Sequence, residues 1–414
     1  MKLNKRTIAW FLAGSFLTGT FPLQAQKQIT LKKGPNISMN ITNRHKDPKR
    51  TYLNIGFLSH FPQLNGIGIN VISSTVQGTA SGLQISGITN ISGLSASGVI
   101  LSSIANVSGE NLNGLAVSGL MNISGKKANG VQISALGNIG GNSLNGLSMS
   151  ALINLSGKDA KGIQIGGLAN INRNDQKGIA IGGLMNANGG DSKGLHITSL
   201  LNVTAKTSRG VQLAGLGNVS VTNQGLQLAC ANYSEKNKGL QLGVANFNNQ
   251  GKSGLQIGIV NVSTDSTAHQ WGCINLKPHT RTQLLISGGN ANKFNLAVRF
   301  KNRYTYTQFG AGAYYLDMNQ DFSLSGFYRA GVYLPITPRL SVNGDLGYYH
   351  IETFDNKNAG IPARMYAIQP RISLEYQIMK RLGMFVAGGY NWTRTYQGEK
   401  YENKTVFEAG IILF

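Results

Sequence analysis

Charged residues and long apolar stretches are scarce in this chain, and aromatic residues are absent between Ile67 and Asn232. Charged residues make up only 13% of the sequence and helical periodicity is nearly absent, which favours an all-β protein. No apolar run after residue 25 is long enough for a membrane-spanning helix. The six histidines lie far apart without metal-ligand spacing, and no catalytic constellation is present. We therefore expect a non-enzymatic protein with no catalytic residues, no cofactor and no bound metal ion.

The N-terminus has the layout of a secretory signal peptide. Two lysines and an arginine precede an apolar stretch from Ile8 to Phe21, and Ala25 is a small residue at a suitable cleavage point. A signal anchor is the alternative, but the apolar stretch is short and is interrupted by glycine and threonine. We predict a signal peptide over residues 1–25 and a cap segment over residues 26–65. Because the chain is exported, its net charge of +22 favours anionic polymers or lipid phosphates over nucleic acid as partners.

A sixteen-residue repeat dominates the middle of the chain. Glycine recurs from Gly82 to Gly210, and asparagine recurs eight residues later from Asn90 to Asn218. Each unit is too short to bury a face by itself, so it must stack on its neighbours. We predict a β-solenoid over residues 66–280, with about fourteen coils that shorten to a period of fourteen or fifteen residues near the end. At strand spacing this stack is on the order of 65 Å long.

The alternation within one unit predicts which residues face the interior. Ile163 and Ile165 alternate with Gln164, which indicates a strand with one buried face. We expect the aliphatic residues to be buried and the glutamines to form an exposed polar stripe. The region has no Phe, Trp or Tyr between Ile67 and Asn232, which leaves this stripe little stacking energy for a glycan. The expected stripe comprises Gln164, Gln212, Gln227, Gln241 and Gln256.

The repeated glycine and asparagine both have structural interpretations. The glycine is expected at a corner with positive φ. The asparagine forms either an amide ladder along the stack or a left-handed corner residue. Several of these asparagines lie in Asn-x-Ser/Thr triplets, such as Asn90–Ser92, but their fixed place in the coil argues against glycosylation.

The coil corners carry charged residues and the two cysteines. Asp159, Asp175 and Asp191 recur at one period, which would align carboxylates for calcium. The adjacent lysines, Lys158, Lys161, Lys177 and Lys193, favour cross-coil ion pairs instead. Cys230 and Cys273 lie three coils apart, too far for a disulfide, and we expect both to be unpaired and buried.

The last third of the chain has long strands with period two and many aromatic residues. This pattern is typical of a transmembrane β-barrel, and we predict eight antiparallel strands within residues 281–414. An eight-stranded barrel is filled by side chains and serves as an anchor instead of a pore. Arg329, Asp345, Arg371 and Glu375 are expected to point inward as a paired polar core. The predicted strands are 282–289, 293–301, 304–316, 321–334, 338–352, 364–378, 381–396 and 404–414.

Two resemblances bear on location. The units from Gly162 to Asn170, Gly239 to Asn246 and Gly254 to Asn261 resemble a family of bacterial surface-repeat proteins with Gly-x-Gln-x-Gly and Asn motifs. That resemblance covers residues 66 to about 276 and implies an envelope location without a defined biochemical role. Phe414 ends an apolar last strand, which resembles the terminal signal of bacterial outer-membrane barrels. Some early units depart from the family in the glutamine position: Ala116, Ser148 and Ala180.

We therefore expect a bacterial outer-membrane protein whose barrel anchors a repeat scaffold with an extended binding surface, either adhesin-like or envelope-organising. The expected partners are outer-membrane lipid and either an anionic glycan or another envelope protein, without nucleic acid. An even strand number with short periplasmic turns places the solenoid in the periplasm, whereas the family resemblance implies the cell surface. The alternative is a solenoid enzyme acting on an envelope or host polysaccharide, which would need clustered carboxylates or aromatics on one face.

Overall fold

The computed structural model describes residues 32–44, 49–250, 254–317, 321–354 and 361–414. The predicted signal peptide lies outside these residues. The fold is all-β, with a solenoid of about fourteen turns over residues 50–276 followed by a closed barrel of eight antiparallel strands. The chain divides into two compact units, the first ending at Gly243 and the second running from Val244 to Phe414.

No helix in the described part of the chain is long and apolar enough to cross a membrane.

The solenoid is built from short parallel strands, most of them four to eight residues long. The solenoid turns begin at about residue 50, ahead of the predicted start at Gly66, and the strand Lys32–Arg44 before them pairs in parallel with the strand Lys49–Phe61. In chain order the strands are β1 Lys32–Arg44, β2 Lys49–Phe61, β3 Gln63–Val76, β4 Ala80–Ser86, β5 Thr89–Ser92, β6 Ala96–Ser102, β7 Ala105–Ser108, β8 Asn111–Ser118, β9 Met121–Ser124, β10 Lys127–Ser134, β11 Gly137–Gly140, β12 Ser143–Ser150, β13 Ile153–Ser156, β14 Asp159–Gly166, β15 Ala169–Asn172, β16 Gln176–Gly182, β17 Met185–Asn188, β18 Ser192–Thr198, β19 Leu201–Ala214, β20 Gly217–Asn223, β21 Leu226–Leu228, β22 Ala231–Asn237, β23 Leu240–Gln250, β24 Leu255–Ser263, β25 His269–Trp271 and β26 Ile274–Leu276.

Each coil repeats the residue register of the coil before it. Gly162 in β14 pairs with Gly146 in β12 and with Gly178 in β16, so equivalent positions lie directly above one another. Later in the stack Gln212 pairs with Gln227, and Gln227 pairs with Gln241, as the shortened period requires. The sixteen-residue repeat is therefore one turn of the solenoid.

The repeated glycines occupy the predicted positive-φ corners. From Gly82 to Gly210 the nine glycines have φ between 101° and 121°. A Cβ atom built on Gly162 would lie 2.2 Å from the backbone oxygen of Gly146, one coil earlier. Glycine is required at this corner because the backbone conformation and the stacking distance both exclude a side chain.

The repeated asparagines form an amide ladder, which decides between the two interpretations left open by the sequence. Asn154 Nδ2 donates to Asn170 Oδ1 at 2.9 Å, and Asn138 Nδ2 donates to Asn154 Oδ1 at the same distance. Asn154 Nδ2 also donates to the carbonyl of Ile165 at 2.9 Å. These side chains are fully buried, so the ladder satisfies polar groups that would otherwise be costly inside the stack.

The predicted orientation of the coil faces is wrong. Gln164 is 2% exposed, whereas its neighbour Ile163 is 39% exposed. The glutamines stack inside the solenoid, where Gln227 Nε2 donates to Gln212 Oε1 at 3.0 Å and Gln241 Nε2 donates to Gln227 Oε1 at 3.0 Å. In-register stacking lets these amides bond to the next coil, so glutamine is accommodated inside the solenoid, whereas Ile163 faces outward. The expected exposed stripe is buried at all of Gln164, Gln212, Gln227, Gln241 and Gln256.

The barrel contains all eight predicted strands. The first strand, from Arg281, pairs with the second and with the last, which closes the barrel. Three short turns lie at one end, hereafter the short-turn end, together with Arg281 and the C-terminus. The strands are β27 Arg281–Gly289, β28 Phe294–Lys301, β29 Thr305–Asp317, β30 Asp321–Pro335, β31 Leu340–Phe354, β32 Arg364–Met379, β33 Leu382–Thr395 and β34 Lys400–Leu413.

The barrel interior holds the charged residues that the sequence placed there. Arg371 Nε lies 3.0 Å from Asp345 Oδ2, and Arg371 also pairs with Glu408. Arg329 also pairs with Asp345. All four side chains are at least 90% buried, and we refer to them as the interior ion network. Its charges are paired, as expected for charges removed from water.

Candidate functional site

An apolar column follows one outer side of the solenoid. Its members lie two residues before the ladder asparagines and are 38–56% exposed. Consecutive members are about 4.8 Å apart, so they form a continuous apolar strip. Such strips mark interaction surfaces in soluble proteins. The apolar column consists of Ile88, Ile104, Leu120, Leu136, Leu152, Leu168, Leu184, Leu200 and Leu216.

The two cysteines occupy this outer position in later coils. Cys230 follows Leu216 by one coil and is exposed, and Cys273 is partly exposed in the last coil. Both are free, as predicted from their spacing. Their expected burial is wrong for the same reason as that of the aliphatic residues, because this side of the coil faces outward.

The aspartate column is part of the backbone scaffold. Asp159 Oδ1 accepts the backbone N–H of Asp175 at 3.3 Å, and Asp175 Oδ1 accepts that of Asp191 at 2.9 Å. Asp191 Oδ1 accepts the N–H of Thr207 at 3.0 Å, and its other oxygen lies 3.5 Å from Arg209. Each carboxylate therefore bonds to the next coil. Among the described residues, the expected ion pairs do not form: none of the salt bridges involves Lys158, Lys161, Lys177 or Lys193.

His196 is a polar defect in the solenoid interior. It lies in the glutamine position between Ala180 and Gln212 and is 1% exposed. Neither ring nitrogen has a hydrogen-bond partner among the described residues. Burial lowers the pKa of His196 from 6.5 to about 4, because the charged imidazolium is poorly solvated there.

We expect His196 to make these coils acid-sensitive. The unfolded chain binds a proton at His196 below pH 6.5 but the folded chain binds it only near pH 4, so folding loses stability as pH falls through this window. The loss should reach roughly 3 kcal/mol below pH 4 and vanish above pH 6.5. His196→Gln should remove it, since glutamine can accept from the amide of Gln212. Native-state hydrogen exchange in residues 176–214, corrected for the intrinsic rate at each pH, measures the difference.

His269→Gln is the matched control, because His269 is exposed in the last coils. It should leave the pH dependence of residues 176–214 unchanged. Equal acid sensitivity in the wild type and in His196→Gln would show that another group causes the effect.

A cationic groove lies at the short-turn end of the barrel, wholly within the second compact unit. It has a volume of about 1280 Å³ and is lined by the last coil, by outward-facing residues of the barrel wall and by interior-facing residues at the barrel mouth, among them Tyr306 and Glu375. Tyr328 Oη donates to the carbonyl of Gly272 at 2.9 Å, and Thr307 Oγ1 donates to that of Cys273 at 2.9 Å. These bonds hold the last coil against the wall.

The groove combines apolar walls with a basic rim. Trp271 from the last coil is 68% exposed, and Val332 and Leu346 on the barrel wall are each 56% exposed. The rim carries four cations from separate parts of the chain, and we refer to them as the cationic rim. Its members are Lys277, Arg281, Arg303 and Arg339.

The carboxylates that also border the groove are engaged elsewhere. Glu375 pairs with Arg299 and Lys301 at 3.0 Å each, and Asp345 belongs to the interior ion network. Among the ion pairs of the described residues, none involves a member of the cationic rim. Partial burial lowers the pKa of Lys277, and Asp265 opposes that shift. The rim therefore carries net positive charge, which Asp265 offsets in part at Lys277.

Aromatic residues gather on the outer wall near the other end of the barrel. Tyr396 Oη lies 3.1 Å from Tyr348 Oη and 2.5 Å from His350 Nδ1. The rings of Tyr366 and Tyr396 meet edge to face at 5.6 Å. Amphipathic aromatic residues at a barrel end are typical of a membrane–water interface.

Comparison with known proteins identifies no relative of this chain. No protein-family model matches the chain, and no curated protein matches it. Within the described residues, no group of three or more His, Cys, Asp or Glu side chains is placed to hold a metal ion.

The cationic groove was not foreseen from the sequence, because its residues come from a degenerate coil and two turns that no local motif connects.

Proposed function

We propose that the protein is a non-enzymatic outer-membrane protein whose barrel anchors a solenoid with an extended binding surface. The observation that carries this proposal is the apolar outer wall of the closed barrel, whose interior holds paired charges beside a buried apolar cluster. Its outer wall is apolar, with Val332, Leu346 and Ile372 56–68% exposed, while Arg329 and Arg371 are buried inside. A closed barrel with this polarity suits a lipid environment, in which every backbone group must be paired.

The eight-strand closure supports a periplasmic location for the solenoid. With an even strand number, Arg281 and Phe414 lie at the same end, where the connections are two to four residues long, and the one clearly longer connection, between Phe354 and Arg364, lies at the other end. Short turns belong to the periplasmic side in bacterial barrels. The chain would therefore enter the barrel from the periplasm, against the surface location implied by the repeat resemblance.

The apolar column favours another envelope protein over a glycan as the solenoid's partner. Burying an aliphatic strip against protein is favourable by roughly 25 cal/mol per Å². Sugar recognition would instead need aromatic stacking, and the solenoid has no aromatic residue between Ile67 and Asn232.

Thiol labelling in cells tests both membrane insertion and sidedness. In a Cys273→Ser background, Cys230 is the remaining cysteine and is exposed on the solenoid. We expect a bulky, membrane-impermeant maleimide to label Cys230 only after the outer membrane is permeabilised. We also expect the protein to stay in the membrane fraction after carbonate treatment. Labelling of intact cells would place the solenoid outside, and carbonate extraction would contradict the membrane anchor. Cys230→Ser/Cys273→Ser gives the background.

A further inference from the structure

We propose that the cationic groove is a binding site for a phospholipid with an anionic headgroup. Its phosphate would lie at the cationic rim and its acyl chains along the outer barrel wall. This inference rests on the proposed membrane location and adds a specific lipid class to it. It concerns Val244–Phe414 alone.

Charge complementarity argues for the anionic headgroup. Arg281 begins the first barrel strand, and Arg303 and Arg339 lie in two of the short turns, so three cations converge at one end of the barrel. The groove's carboxylates are engaged by Arg299, Lys301, Arg329 and Arg371, so they do not neutralise the rim. A phosphate diester at this end would accept charge-assisted hydrogen bonds from the guanidinium groups.

The apolar side of the groove argues for a lipid over a free phosphate. Val332 and Leu346 face outward from the barrel wall directly below the rim, and Trp271 faces the same space from the last coil. An inorganic anion would leave this apolar surface uncovered. A phospholipid would cover it while its headgroup remains at the level of the short turns, where interfacial tryptophan also prefers to lie.

Tryptophan quenching gives a local test, because Trp271 and Trp392 are the tryptophans that follow residue 10. The probe is the Trp392→Phe protein from residue 26 onward, in which Trp271 is the remaining tryptophan. It is reconstituted in phosphatidylcholine vesicles that contain trace brominated phosphatidylglycerol or trace brominated phosphatidylcholine. We expect brominated phosphatidylglycerol to quench Trp271 more strongly, with a relative association constant about tenfold higher.

Two charge-matched variants locate the site. Arg303→Gln/Arg339→Gln removes two rim charges from short turns and should abolish the preference for phosphatidylglycerol. Lys380→Gln/Arg381→Gln removes two exposed charges from the third short turn, outside the groove, and should retain it. Equal quenching by both lipids in the parent protein, or equal loss of preference in both variants, would overturn the site.

The outcomes separate this inference from the proposed function. Protein that fails to insert into vesicles contradicts the membrane anchor itself. Inserted protein that shows no lipid preference contradicts only the groove. Inorganic phosphate should leave the preference as it is in chloride at equal ionic strength. If phosphate alone removes it, the groove binds free phosphate and the lipid assignment is wrong.

Discussion

Gly146→Ala should open the solenoid locally, at a cost on the order of 3 kcal/mol. Gly146 has φ of 105°, a conformation that residues with a Cβ rarely adopt. The new Cβ would also lie 2.2 Å from the backbone oxygen of Gly130, which is fixed by the coil below. The backbone must move at both coils, and their shared strand pairing weakens. Native-state hydrogen exchange should show faster opening of residues 127–166, with the effect declining over neighbouring coils.

Gly137→Ala is the matched control within the same stack. Gly137 lies in a strand without positive φ, and the equivalent residues in adjacent coils are Met121 and Ile153. A Cβ atom here would lie 3.0 Å from the backbone oxygen of Ile153, far less crowded than at Gly146, and the change should alter stability by less than about 1 kcal/mol. Similar losses in both variants would mean that tight stacking in general, instead of the positive-φ corner, makes glycine necessary.

Arg371→Met should destabilise the barrel by about 3–5 kcal/mol. Arg371 bridges Asp345 and Glu408 inside the barrel, and all three side chains are almost completely buried. Methionine fills a comparable volume but leaves the buried Glu408 carboxylate without its cationic partner. Urea unfolding from lipid vesicles, followed by the heat-modifiable mobility of the folded barrel in electrophoresis, measures the loss.

A second substitution should recover part of that loss. Glu408→Gln in the Arg371→Met background removes the unpaired charge, while Asp345 keeps its pairing with Arg329. Arg364→Met is the comparison for an exposed pair, since the Arg364 side chain is 70% exposed beside Glu352, and it should cost less than about 1 kcal/mol. Additive losses in the double variant would show that Arg371 and Glu408 stabilise the barrel independently.

The sequence predicted the repeat geometry and the barrel strands because both depend on local rules. A glycine every sixteen residues indicates a corner that no side chain can occupy, and Gly82 to Gly210 do have positive φ. Alternation over ten or more residues indicates a long strand, and all eight predicted barrel strands are present. Arg329 and Arg371 were placed inside the barrel correctly, since the wall pattern left them on the polar side.

The inside of the solenoid could not be decided in the same way. Alternation shows that Ile163 and Gln164 lie on opposite faces, but it does not show which face is enclosed. The tertiary structure decides this, because coils stacked in register align Gln212, Gln227 and Gln241 so that their amides bond to one another. The sequence by itself determined the period, the glycine corners and the barrel. Only the stacking of coils turned aliphatic residues such as Ile163 and Leu168 outward, and only the folded second unit brought Trp271 and the cationic rim together.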